Sequence, residues 1–596
     1  MRLFLVLLVL VAEAAAAPYS RPLRVDYPAN VYWGDTHVHT YLSPDAYPMG
    51  SRVTPDEAYR FAKGETIIAS GGDETRLSRP LDFLMVADHA ENMGVMPRLA
   101  ARVPELLKTP DGQRNYKLLQ ELPTLREVLK SNNLEEYQIK NMALLMAKGI
   151  KSGDYHLDAD FRREVWEGVV AVAEKHNDPG KFTTFAGYEY SSGTPAMLHR
   201  NVMYVGGPSD TKAWLPFSSH DSTNPEDLWA HLEGYRNKTG SDVIAIPHNT
   251  NISRGQQFKI VTYDGKPLTS GYARTRSSIE PIMEVTQFKG DSETHPLVSA
   301  NDEFADFETL RNPATHEIAR QSYARGALKT GLDLAAKLGV NPYKLGMIGS
   351  TDTHQGLATA DEDNLADAGP YQYSTGLRFS AAGYAAVWAR ENTREAIFSA
   401  MKRREVYATT GPRMTLRFFG GWNFESDDAL GPHLAETGYG GGVPMGGDLA
   451  SYSGEGKKAP TFLLHAVKDP QGANLDRIQV VKGWRDSKRN VNEKVYDVAW
   501  SDDRSIGNDG KLQAVGSTVD VESATYLNSI GSHSLSTTWT DPDFNRKQAA
   551  FYYVRVLQIP TPRWQTYQTS FYGIKERPEP AVIQERAYSS PIWYTP

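Results

Sequence analysis

Histidines and carboxylates recur in this chain at the ends of short apolar runs. His37 and His39 close the run that begins at Val31. Residues two apart on a strand point to the same face, so the two imidazoles stand side by side. Asp88 and His89 follow Phe83 to Ala87, and Glu189 follows the run that starts at Phe182. His248 follows Val243 to Ile246, and Asp352 and His354 follow Met347 to Gly349. Each therefore sits at the C-terminal end of a short buried-strand pattern, where an α/β barrel places its site residues. The chain has no cysteine, which excludes thiolate-bound zinc and a thiol nucleophile. A His, Asp and Glu donor set suits zinc, manganese or iron. Neither a Gly-rich phosphate loop nor a GxSxG elbow is evident.

Eight stretches in order carry a resemblance: GDTHVHT, DFLMVADHAE, FAGYEYS, LHRNVMY, IPHNTN, EVTQFKG, IGSTDTHQG and ATTGPR. Together they resemble the DUF3604 family, which is related to the PHP (polymerase and histidinol phosphatase) superfamily of metal-dependent hydrolases. The likeness runs from about Val31 to Arg413 and on toward the C-terminus. It implies two or three divalent ions, with His37, His39 and Asp352 on the first and Asp45, His89 and His354 on the second. Asp45 stands where the superfamily often has a further histidine. Glu189 would bridge the first two ions, and His199 and His248 would form the third site. Asp88 is expected to support a neighbouring imidazole. Glu91, Asn249 and Gln287 read either as further support or as polar loop residues.

Two close divalent ions lower the pKa of a bridging water and clamp the oxygens of a displacement. Hydroxide rather than a side chain is then the expected nucleophile, acting on a phosphoester. A sulfate ester or a carboxylic ester or amide is the alternative on the same site. A non-catalytic metal-containing binding protein is the alternative of another class, disfavoured because structural sites need neither several metals nor open positions. A phosphoryl group needs cationic donors. Arg200, Arg254, Lys289 and Arg413 are the candidates, Arg200 first because it adjoins His199.

The elements that must position these residues read as a strand and helix alternation, which argues a PHP-like distorted, parallel α/β barrel over residues 18–413. Thr54, Pro55 and the acids after them predict a helix start. Leucines and methionines at helical spacing predict a helical insertion at about 95–180, shaping a lid over the barrel mouth or adding scaffold. From 414 to 596, strand-like runs between Gly-, Asp- and Asn-rich turns predict a β-rich region packed on the barrel. Residues 1–17 read as a secretory signal peptide, cleaved after Ala14, Ala15 or Ala16, so a secreted or periplasmic protein is expected. No other stretch is long and apolar enough to span a membrane.

With 596 residues, 40% hydrophobic and 23% charged, the composition is that of an ordinary globular chain. A formal net charge of -8 argues against nucleic acid and leaves a small anionic ester as the expected partner. Oligomeric state is left open.

Overall fold

The computed structural model describes residues 25–121, 154–155, 157–192, 196–310, 312–364, 382–454, 458–573 and 579–596. The expected signal peptide and residues 122–153 of the expected helical insertion lie outside the described residues.

Strand β1 (Asn30–Val38) lies in parallel beside β2 (Phe83–Val86), and β2 in parallel beside β3 (Thr183–Tyr190). β2 reads Phe-Leu-Met-Val and is buried throughout, because both faces of the sheet are covered at this point. Gly34 has no side chain for a reason. A Cβ there would run into the Phe83 ring across the strand pair. Helix α1 (Pro55–Ala62) opens where the sequence predicts, with a reciprocal cap between Thr54 and Glu57 and proline at its start.

The sheet then departs from the parallel expectation. β4 (His199–Tyr204) runs antiparallel to β3, and β5 (Val243–His248) antiparallel to β4. The reason is the connection. The link from Tyr190 to His199 is too short for a crossover helix, so the chain returns as a hairpin. On the other side, β8 (Tyr384–Ala389) pairs antiparallel with β1. β6 (Ile282–Gln287) and β7 (Gly346–Gly349) form a separate parallel pair. β6 lies beside β5, and Thr353, just past β7, bridges to Val38. Among the described residues no sheet closes, so the architecture is mixed α/β around a large central mixed sheet, and a closed barrel is not confirmed.

That sheet continues through β9 (Val406–Thr409) into strands from the C-terminal third. Arg586–Ser589 pairs with β9 and with Ala550–Gln558, which pairs in turn with Leu475–Arg485. One apolar cluster joins Trp33, Leu84 and Val86 to Phe462, Leu464, Val554 and Tyr594, so residues beyond 414 share the core of the first strands.

Helices α2 (Val95–Ala100) and α3 (Pro110–Glu121) follow the β2 loop, and α4 (Ala159–His176) precedes β3. Val95, Met96, Leu99, Leu106 and Tyr155 pack with Tyr47 from the loop after β1. The Gly94 N–H donates to the Leu42 carbonyl at 2.8 Å, which fixes this helical segment to the loop that carries Asp45. Among the described residues no helix is long and apolar enough to cross a membrane.

Candidate metal centre

The hairpin geometry has a direct consequence. Because β4 runs antiparallel to β5, His199 at its start lies opposite His248 at the end of β5. Strand ends and one strand start thus bring their donors to one edge of the sheet. Four overlapping groups result: His39, Asp45, His89 and His354; His37, His39 and Glu189; His37, His248 and Glu284; Glu189, His199 and His248. Within each, the donor atoms lie within 4.8 Å of one another.

Glu189 sits at the centre. Its Oε1 is 2.6 Å from His199 Nδ1 and 3.0 Å from His248 Nε2. Its Oε2 is 3.0 Å from His89 Nδ1, 3.2 Å from His39 Nε2 and 3.6 Å from His37 Nε2. Burial alone would raise the Glu189 pKa, but His89, His199 and His248 outweigh it and hold the carboxyl well below the usual range. Asp352 takes the other side of the first pair, with Oδ1 3.2 Å from His37 Nε2 and 3.3 Å from His39 Nε2. Its Oδ2 accepts from Gln287 Nε2 at 2.9 Å and pairs with Lys289 Nζ. Burial opposes ionisation of Asp352, yet His37 and Lys289 keep it well below the carboxylate range. Asp45 Oδ2 lies 2.9 Å from His89 Nε2 and 3.4 Å from His354 Nε2. Burial, with His39 beside it, pushes His354 down to about 4.

The far ring nitrogens are also held. His37 Nδ1 faces Glu284 Oε2 at 3.0 Å, and His39 Nδ1 faces Ser43 Oγ at 3.1 Å. These contacts turn both Nε2 atoms into the cluster, where they approach each other to 3.1 Å. Two imidazole nitrogens that meet with carboxylate oxygens around them form a donor set that suits divalent cations. His248 Nδ1 is buried without a hydrogen-bond partner, which fits the same reading. The backbone is strained here too: Asn249 has φ 53° and Asp352 has φ 54°, left-handed values uncommon for non-glycine residues.

The family comparison agrees with the motifs. A family model described as "Protein of unknown function (DUF3604)" matches residues 26–596. The chain belongs to the DUF3604 family. Among solved structures, this DUF3604 protein is similar to a two-domain protein containing a predicted PHP-like metal-dependent phosphoesterase from Bacteroides vulgatus. Identity is 12%, the match covers 88% of this chain and 99% of the other, and the TM-score is 0.28. Comparison with curated proteins gives no match.

Within the DUF3604 chain, His37, His39, Asp45, His89, Glu189, His199, His248, Asp352 and His354 all meet in the cluster. Two residues expected to act there make their hydrogen bonds elsewhere. Arg200 follows His199 on β4 and so points to the opposite face, where its Nε donates to Glu280 Oε1 at 2.8 Å. Asp88 makes its hydrogen bonds with Thr40 rather than with an imidazole. Its two oxygens accept from the Thr40 N–H at 2.6 Å and the Thr40 hydroxyl at 2.7 Å, which fixes the loop leaving β1. Arg413 donates to the Pro80 and Arg79 carbonyls, and Arg254 is exposed. Of the four basic candidates, Lys289 is the one that reaches the cluster.

Sequence reading assigned no role to Glu284 or Asp35. A glutamate inside the apolar strand Ile282–Gln287 is itself a signal, because a buried acid requires a partner. Asp35 accepts from the His37 N–H at 2.9 Å and from the Thr351 hydroxyl at 2.5 Å, joining β1 to the loop that carries Asp352. Nothing in its local sequence shows that long-range tie. Glu91 accepts from the Ser191 and Ser219 N–H groups, so it positions loops around the cluster.

Proposed function

We propose that this protein is a metal-dependent hydrolase that cleaves phosphoesters. The observation that carries the reading is Glu189, one buried carboxylate shared by five imidazoles, with Asp352 and Asp45 on either side. His37, His39, Asp352 and Glu189 would hold one ion. Asp45, His89 and His354 would hold a second, and His199, His248 and Glu189 a third. When bound, such ions acidify a water and stabilise charge on the ester oxygens.

The protein groups supply orientation and fixed charge. Glu284 and Ser43 set the ring orientations of His37 and His39. Lys289, fixed on Asp352, provides the cationic donor that an anionic ester requires, in the place first expected of Arg200. The helical segment on the Asp45 loop would shield the site from water. We also propose export through residues 1–17, testable by N-terminal sequencing of protein recovered outside the cytoplasm.

The test combines elemental analysis of purified protein with turnover of chromogenic phosphate, sulfate and acetate esters, with and without added manganese or zinc. Metal-dependent cleavage of the phosphate ester is expected. Cleavage that survives complete chelation would overturn the metal reading, and turnover of acetate or sulfate alone would overturn the phosphoester one.

A further inference from the structure

Three imidazoles gather around Asp45. His39, Asp45, His89 and His354 each place a donor atom within 4.8 Å of the others. A neutral imidazole carries its hydrogen on one ring nitrogen, and the partner of that nitrogen decides which. For His354 the partner is the Asp352 carbonyl, 2.9 Å from Nδ1, an oxygen that can only accept. For His39 it is the Ser43 hydroxyl, 3.1 Å from Nδ1. Ser43 has one proton and donates it to Asp45 Oδ1 at 2.9 Å, so it accepts from His39 Nδ1. Both rings therefore carry their hydrogen on Nδ1 and keep Nε2 for a cation.

His89 has oxygens on both sides. Nε2 lies 2.9 Å from Asp45 Oδ2. Nδ1 lies 2.5 Å from Ser191 Oγ and 3.0 Å from Glu189 Oε2. Ser191 donates its single proton to Glu189 Oε1 at 3.2 Å, so toward His89 it offers a lone pair. The reverse assignment turns the Ser191 proton to a bare Nδ1. It would set Nδ1 and Glu189 Oε2 lone pair against lone pair at 3.0 Å, and Ser191 Oγ against Oε1 in the same way. The hydroxyl is held in place from its backbone. Ser191 follows β3 directly, is 7% exposed, and donates its N–H to Glu91 Oε1 at 3.1 Å. Glu91 is buried and also accepts from the Ser219 N–H at 2.7 Å.

We propose that Ser191 is a positioning residue for His89: its hydroxyl takes the Nδ1–H and leaves Nε2 as the donor to the ion that Asp45 and His354 would also hold. Ser191 thus does for His89 what Ser43 does for His39. In each case a serine passes its own proton to a carboxylate of the cluster and accepts one from a ring. The role rests on the metal part of the proposed function and is indifferent to which bond is cleaved.

The experiment is titration of the chelated full-length protein with zinc against a chromophoric chelator, which counts the ions and ranks their affinities. Ser191→Ala keeps every metal donor. It should weaken one ion roughly 10–100-fold, the usual cost of losing a group that orients a ligating histidine, and leave the others at wild-type affinity. Ser192→Ala is the control, since the neighbouring hydroxyl is buried with no hydrogen-bond partner, and it should bind as wild type does. Wild-type affinities in Ser191→Ala would overturn the role. So would an equal weakening of every ion, or a loss as large in Ser192→Ala, because either would mark a general effect on the loop. Wild type that binds the ions but cleaves no phosphate ester would sink the phosphoester reading alone, whereas wild type that binds no zinc would sink both.

Discussion

Glu189→Gln keeps the shape of the central side chain and removes its charge. In the wild type, Oε1 serves His199 and His248 while Oε2 serves His89, His39 and His37, at separations from 2.6 to 3.6 Å. A charge-assisted contact is worth about 1.5–3 kcal/mol taken alone, but contacts that share one atom do not add. The better guide is removal of one partner from a buried ion pair, about 3–5 kcal/mol. The metal-free variant should therefore unfold at clearly lower denaturant than the metal-free wild type. With metal supplied, the anion that offsets repulsion between neighbouring ions is gone, so at least one ion should be lost. Turnover of a chromogenic phosphate ester should fall roughly 10²–10³-fold, the range seen when one electrostatic stabiliser is removed. The assays are elemental analysis per chain, kcat on the metal-loaded protein and denaturation after chelation. Full metal content together with unchanged kcat would refute the central role of Glu189.

Lys289→Met should lower kcat/KM for an anionic ester by about 10–100-fold, in keeping with loss of a charged hydrogen bond, whereas Arg200→Met should alter stability and leave kcat near that of wild type. The opposite ranking would restore Arg200 to the reaction. Asp35→Ala removes the tie between β1 and Thr351 and leaves the Thr351 hydroxyl with poorer partners. It should cost about 1–3 kcal/mol and loosen metal, read as faster loss to a chelator. Outside the four donor groups, burial pushes the Glu362 carboxyl up to about 7, and burial with Glu362 beside it holds Glu585 well above the carboxylate range. Both folded-state pKa values lie above the unfolded 4.5, so this stabilisation is complete in acid below that value and is lost as pH rises, the Glu362 part through about 7. Glu585→Gln cannot ionise and should flatten the fall in melting temperature from pH 5 to pH 8; an unchanged slope would exclude the pair as its source.

The sequence by itself determined which residue types could meet. Short apolar runs that end in His, Asp or Glu can place those groups only at strand ends, because a buried strand interior does not tolerate unpaired donors. Hence His37, His39, His89, Glu189, His248, Asp352 and His354 were all legible, and the start of α1 was legible from Thr54 and Pro55. His199 was placed by its order along the chain, and the tertiary structure supplied the reason: a hairpin reverses β4 and brings its first residue to the edge where its neighbours end. The same reversal decided against Arg200. Strand alternation puts neighbours on opposite faces, and which face meets the cluster depends on register with β5, information that no local window holds. Asp35 and Glu284 were given no role by local reading, and Lys289 stood only as one of four candidate cations, for a related reason. Their partners Thr351, His37 and Asp352 are 316, 247 and 63 residues away, and only packing of the strands brings them within reach. The mixed direction of the central sheet was likewise decided by where each connection lets the chain return, a matter of loop length and burial rather than of strand propensity.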